Sequence, residues 1–286
     1  MTLKTNDRYG MGVITVGCEK CGLIQTNPRP TEHGLSDFYK NDYRKFYQNT
    51  VHPSLEYIQK NNKHTRMAYT VNFLMKTIEH RSIHKVLDIG CSEGAFFSAL
   101  KERGYSGELY GVEPNREFAL FTEQQTGAKV FPSIETLEGK FDLIVLTHVF
   151  EHFLSPDIFL QRIKTNLNVD GLLYIDVPDA AEYSSLADLH IAHLYHFTAN
   201  TLAELMRANG FQVLECDRHR PPHHPRSVRV VAIQSQQPLP GTILTTAQTE
   251  SEIWTRIRKI GVYKYLLRRK LASIKLLRAM YRFAVR

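Results

Sequence analysis

The chain has 286 residues, 43% apolar and 23% charged, as in an ordinary globular protein. That excludes a disordered chain, a collagen-like one and a disulfide scaffold, and leaves room for one large domain or two small ones. The net charge of +7 is uneven: residues 253–286 hold eleven Lys or Arg and no acid, and subtracting +11 from +7 leaves −4 on the other 252 residues.

Residues 1–80 mix turn signals with aromatic helical patches and are expected to form a helical cap. TNPRPTEHG (26–34) is a Pro-rich loop, and LSDFYKNDYRKFY (35–47) follows it. Leu55, Ile58, Met67, Val71, Leu74 and Ile78 then recur at helical spacing. From residue 85 strands and helices alternate. KVLDIG (85–90), ELYGVE (108–113), AKVF (128–131), FDLIVLTH (141–148) and GLLYIDVP (171–178) read as strands. EGAFFSALKERG (93–104), NREFALFTEQQTG (115–127), SPDIFLQRIKTNL (155–167) and TANTLAELMRANG (198–210) read as helices. Two late strands, FQVLECDRH (211–219) and RSVRVVAIQ (226–234), are close enough to pair antiparallel through PPHHP. The expectation is an α/β fold, a Rossmann-like doubly wound, mostly parallel seven-stranded sheet with an antiparallel last strand. QQPLPG (236–241) reads as a linker to a basic helical tail. The divisions are 1–80, 81–235 and 236–286.

No apolar run approaches the ~20 residues of a membrane-spanning helix. The opening MTLKTNDRYG lacks the apolar stretch of a secretory leader, and four scattered cysteines suit a reducing compartment. A cytoplasmic protein is expected.

The informative segment is VLDIGCSEGAF (86–96), a buried strand that turns through glycines into a helix. Such a turn lets a ligand approach the backbone, and the helix start offers free N–H groups. Glu113 ends the next strand, where a carboxylate can accept both ribose hydroxyls of a nucleoside. The turn lacks the G-x-G-x-x-G glycine pair that admits a pyrophosphate, and Asp88 would repel one. A cationic nucleoside such as the sulfonium S-adenosylmethionine fits better. A structural strand–turn–helix with no ligand is the bland alternative, and a non-catalytic Rossmann-like binding module is a further one.

VLDIGCSEG, GVEPN (111–115), FDLIVLTHVFEHFLSPDIFL (141–160) and GLLYIDVPD (171–179) together resemble, in order and spacing, the motifs of class I S-adenosylmethionine-dependent methyltransferases. The resemblance implies Asp88, Gly90, Cys91 and Gly94 at the methionine end of the cofactor, Glu113 at the ribose, and Thr147 and His148 along it. At the adenine it leaves only Ser133 or Glu135. CEKCGLIQTNPRPTEHGLSDFY (18–39) is similar to the leader of a subgroup found in sugar and glycan pathways, where a four-cysteine zinc ribbon comes first. Here Cys18 and Cys21 stand alone, and two thiolates cannot close a structural zinc site. In that subgroup a His after the fourth strand and an acid–His pair in a later loop serve C-methylation. His152 and His193 match the histidines, and Ala192 holds the acid's place, which leaves O-methylation open. Both are expected as general bases, with no metal. The acceptor is expected to be a small molecule or glycan precursor.

HVFEH (148–152) also matches H-x-x-E-H, a zinc signature that needs both histidines on one helix face, and supports a metal-dependent hydrolase as a rival. Ile253, Ile257, Ile260, Leu267, Leu271, Ile274 and Tyr281 form an apolar stripe in the tail. It fits packing on the body, an anionic membrane surface or a partner protein; nucleic acid is not expected.

Overall fold

The computed structural model describes residues 2–7, 10–48, 50–223, 226–235, 253–255 and 257–259. Three strands come first, β1 (Thr2–Asn6), β2 (Gly12–Gly17) and β3 (Ile24–Thr26). Helices α1 (Glu32–Asn41), α2 (Leu55–Lys60) and α3 (Lys63–Thr77) follow, with a π-helical turn at Arg44–Gln48 between the first two. The alternating region runs β4 (Lys85–Ile89), α4 (Ala95–Glu102), β5 (Glu108–Val112), α5 (Arg116–Thr126), β6 (Lys129–Phe131) and β7 (Phe141–Thr147). It continues with α6 (Pro156–Asn166), β8 (Leu167–Pro178), the short β9 (Tyr195–His196), α7 (Ala199–Ala208), β10 (Phe211–His219) and β11 (Ser227–Gln234).

The seven-stranded sheet has the order β10-β11-β8-β7-β4-β5-β6. β6, β5, β4, β7 and β8 are mutually parallel, and β11 runs antiparallel to both β8 and β10. Its apolar strands are buried on both faces because helices cover both. Val86 joins a core with Val71, Leu74, Phe97 and Leu100 of α3 and α4, whereas Leu87 and Ile89 join Leu160 and Leu202 of α6 and α7. Helix starts follow local chemistry. Asn115 accepts from the N–H groups of Glu117 and Phe118, Thr198 and Thr201 form a reciprocal capping box, and Pro156 occupies the first position of α6. β8 begins four residues before GLLYIDVP, pairing Leu167 with Phe141.

The first thirty residues depart from the expected helical cap. β1, β2 and β3 form an antiparallel sheet closed by β9, in the order β1-β2-β3-β9. The small sheet packs on Ala181, Leu189, Ile253, Trp254 and Ile257. Residues 253–255 and 257–259 are helical, and Trp254 is 1% exposed against Gly17. The first two positions of the tail stripe are therefore core contacts. QQPLPG and Ile260, Leu267, Leu271, Ile274 and Tyr281 lie outside the described residues. Among the described helices none is long and apolar enough to cross a membrane.

Candidate active site

The carboxyl end of β4 turns sharply. Gly90 has φ 78°, and its N–H donates to the Val112 carbonyl at 2.8 Å. A Cβ there would lie 2.5 Å from Val149 Cγ2, so only glycine fits. Gly94, φ 75°, begins α4, and a Cβ on it would press on Thr122 and Thr126 of α5. The Cys91 sulfur occupies the space that a Gly111 side chain would take. Cys91 and Gly94 thus build the turn from below and do not line the cleft above it. Asp88 also lies beneath, and its burial raises the carboxyl well above the usual carboxylate range.

Glu113 ends β5. Its Oε1 accepts from the Asn115 N–H at 2.8 Å, and its Oε2 pairs with Arg44 at 2.9 Å. The Arg44 guanidinium lies 3.4 Å from the Phe118 ring centroid. Gly90, Ser92, Glu113, Asn115, Thr147 and His148 share one open cleft of ≈ 1770 Å³. Typical single-ligand pockets are about 300–1,000 Å³, so this one has room for two partners side by side. Ser133 and Glu135 do not line it.

Away from Glu113 the cleft is walled by Tyr39, Tyr43 and Tyr47, one helical turn apart, and floored by Glu151, His152 and His193. His152 and His193, distant in sequence, stand with ring centroids 4.9 Å apart. Tyr39 and Tyr43 meet His152 edge-on at 5.7 and 5.6 Å, and Tyr47 lies 4.8 Å from His190. The Ala192 carbonyl accepts from Tyr39 Oη at 3.3 Å and lies 2.6 Å from His152 Nδ1. The residue in the acid's place therefore orients His152 through its backbone. Burial pushes the His152 imidazole down to about 4 and His193 well below the usual histidine range, while the Glu151 carboxyl is pushed up to about 8. Both rings are neutral near pH 7.

The loop bearing His193 is stitched to the small sheet. Thr26 Oγ1 donates to the His193 carbonyl at 3.0 Å, and the Leu194 N–H donates to the Glu151 carbonyl at 2.9 Å. His148 does not share a helix face with His152: it has φ 54°, whereas His152 sits in a 3₁₀ turn at Phe150–His152. The helical zinc arrangement that the hydrolase reading needs is absent from this segment. Arg44 and the three tyrosines line the cleft and were missed by sequence reasoning, which met Glu151 only as the acid of HVFEH. The spacing of Tyr39, Tyr43 and Tyr47 was the available signal for one face, but nothing local said which face met the cleft.

Residues 43–216 match the family model described as a methyltransferase domain. Among curated relatives, the chain is 25% identical over 202 residues to the ribosomal RNA small subunit methyltransferase C of Haemophilus influenzae (strain PittEE), covering 65% of this chain and 60% of that one. It is 24% identical over 102 residues to the (S)-coclaurine N-methyltransferase of Thalictrum flavum subsp. glaucum, covering 32% of this chain and 28% of that one. It thus spans less than two thirds of either relative. In fold it is similar to the Burkholderia thailandensis 1,6-didemethyltoxoflavin-N1-methyltransferase, crystallised with 1,6-didemethyltoxoflavin and S-adenosylhomocysteine. The TM-score is 0.58 at 18% identity, over 79% of this chain and 96% of that one. With the strand order, the Gly90 turn and a family match across more than half its length, this chain belongs to the methyltransferase-domain family.

Proposed function

We propose that this protein moves the methyl group of S-adenosylmethionine onto a sugar or glycan precursor. The observation that carries the reading is the continuity of the cleft, which joins the Gly90 and Glu113 strand ends to the Glu151, His152 and His193 floor. The residues fit the cofactor. Glu113 presents a carboxylate where ribose hydroxyls can donate, and Thr147 Oγ1, on the cleft wall, is buried with no hydrogen-bond partner among the described residues. Asp88 supports the turn from beneath, and the turn lacks the glycine pair that admits a pyrophosphate. Arg44 now occupies Glu113 Oε2, so ribose competes with a guanidinium for that oxygen.

When bound, the cofactor supplies a methyl carbon already activated by a sulfonium, so the protein's work is to hold, orient and exclude water. Gly90 and Ser92 give the close approach. Tyr39, Tyr43 and Tyr47 offer ring faces and phenols that suit a polyhydroxylated acceptor. Activation of the acceptor is assigned to the cluster that contains His152 and His193. The enzyme works in the cytoplasm, with its +11 tail toward an anionic membrane surface.

Calorimetry tests the cofactor: S-adenosylhomocysteine should bind and NAD should not. Glu113→Ala should weaken binding by about 1.5–3 kcal/mol, the scale of hydrogen bonds to a charged group. His152→Ala and His193→Ala should keep that affinity and lose turnover by roughly 100- to 10,000-fold with nucleotide-sugar acceptors. NAD binding without S-adenosylhomocysteine binding would overturn the reading.

A further inference from the structure

The floor of the cleft gathers polar atoms that do not satisfy one another. Glu151 is 1% exposed, and neither carboxylate oxygen has a hydrogen-bond partner among the described residues. Three imidazole nitrogens surround Oε1: His148 Nδ1 at 3.6 Å, His193 Nε2 at 3.7 Å and His152 Nε2 at 3.8 Å. All three separations are beyond a hydrogen bond. They come close to the spacing of ligands around one small cation, where two bonds of about 2.1 Å at a tetrahedral angle set the ligand atoms about 3.4 Å apart. One donor atom from each of Glu151, His152 and His193 lies within 4.8 Å of the other two. His152 Nδ1 lies 2.6 Å from the Ala192 carbonyl, an acceptor that keeps the proton on Nδ1 and leaves the Nε2 lone pair facing the cluster. A buried carboxyl group with neither oxygen hydrogen-bonded is costly, and a cation at this point would hold it ionised and paired.

We propose that Glu151, His152 and His193 bind a divalent first-row transition-metal ion of the zinc type at the acceptor end of the cleft. A carboxylate and two neutral imidazoles match the preferences of such ions, and three protein ligands leave coordination positions for an acceptor oxygen. The purpose of the site rests on the methyl-transfer reading, and it makes His152 and His193 ligands and not bases. The acceptor O–H bond breaks with its electron pair staying on oxygen, and the proton leaves to solvent through the open cleft. That pair forms the new O–CH₃ bond while the S–CH₃ bond breaks and its pair remains on sulfur. The cation's part is to make the hydroxyl more acidic.

The full-length protein, stripped with chelator and dialysed, is titrated with Co²⁺ and separately with Zn²⁺. One equivalent should bind, with the intensified visible absorption of a low-symmetry nitrogen–oxygen cobalt site, and bound metal should raise the melting temperature. Glu151→Gln and His193→Ala should each weaken the metal by about 100-fold or more, given that even outer-shell changes cost about 10- to 100-fold. Cys18→Ser with Cys21→Ser should bind metal as the parent does. S-adenosylhomocysteine affinity, measured on every variant, reports folding and tests the cofactor reading by itself. A chain that binds S-adenosylhomocysteine but not one equivalent of metal refutes the cation site and leaves methyl transfer standing. Metal binding that survives Glu151→Gln and His193→Ala, or is lost with the two cysteines, also overturns the proposal.

Discussion

Replacing Trp254 with alanine removes the largest fully buried side chain from the seam between the basic tail and the small sheet. Deleting a buried Trp costs about 3–5 kcal/mol. Part of that is returned, because the indole N–H is buried without a hydrogen-bond partner among the described residues, and leaving such a group unpaired costs about 1–3 kcal/mol. The difference of the two terms is about 0–4 kcal/mol, and Trp254→Phe, which keeps a six-membered ring and drops the N–H but leaves the five-membered ring's space unfilled, should lose less than Trp254→Ala. Gly17 sharpens the test. A Cβ on it would sit 3.2 Å from the indole Cδ2, so Gly17→Ala should cost stability in the parent and less in Trp254→Ala. A coupling of at least about 0.5 kcal/mol is expected for residues in direct contact. Urea unfolding followed by circular dichroism supplies the free energies. Trp254 is the single tryptophan, so its native fluorescence reports docking directly: emission should be blue-shifted and shielded from acrylamide. Strictly additive effects, or emission like free tryptophan in water, would refute the packing argument.

Gly90→Ala should abolish S-adenosylhomocysteine binding and destabilise the fold, because φ 78° and Val149 at 2.5 Å both oppose a Cβ; strain of this kind costs about 1–3 kcal/mol before the clash, and near-parental affinity would remove the turn from the site. In the native protein at neutral pH, iodoacetamide mapped by mass spectrometry should label Cys18 first. Backbone N–H groups of Cys21 and Lys20 lower its pKa and favour the reactive thiolate, whereas burial raises Cys91 well above the usual range and Cys216 up to about 12. Labelling of Cys216 ahead of Cys18 would contradict that order. Full-length protein should co-sediment with anionic vesicles at low salt and release at high salt, while a chain ending at Lys259 should fold, bind S-adenosylhomocysteine and ignore vesicles. Ending it near Pro240 should also remove Trp254 and destabilise the small sheet. Equal vesicle binding by the Lys259-ended chain would move the contact onto the body.

The large sheet was readable because each strand is a local statement. β4, β7 and β8 are apolar runs bounded by glycine or polar turns, and helix starts are marked by residue type, with caps at Asn115 and Thr198 and Pro156 at the first position of α6. Gly90 and Glu113 were readable for the same reason: each is fixed by the end of its own strand. The small sheet was hidden because β1, TLKTN, alternates without a strong apolar face, and β3 has three residues whose partner β9 arrives much later. Glu151 was visible as the acid of HVFEH, but its burial, which sets it apart from other acids, was not. Arg44 was one basic residue among many until folding set it on Glu113.

The pairing of β3 with β9 bears on the order in which the chain matures during synthesis. Thr26 bonds to His193, 167 positions later, and Trp254 completes the same seam later still. Segments whose partners lie so far along the chain close a large loop before any contact rewards it, and so form late. β1, β2 and β3 have one another as near neighbours in sequence, but the open side of β3 waits for β9 until after the strands from β4 to β8 have emerged. The loop that presents His193 is pinned by the small sheet, so a nascent chain can hold a finished nucleoside pocket while its acceptor floor is still unmade.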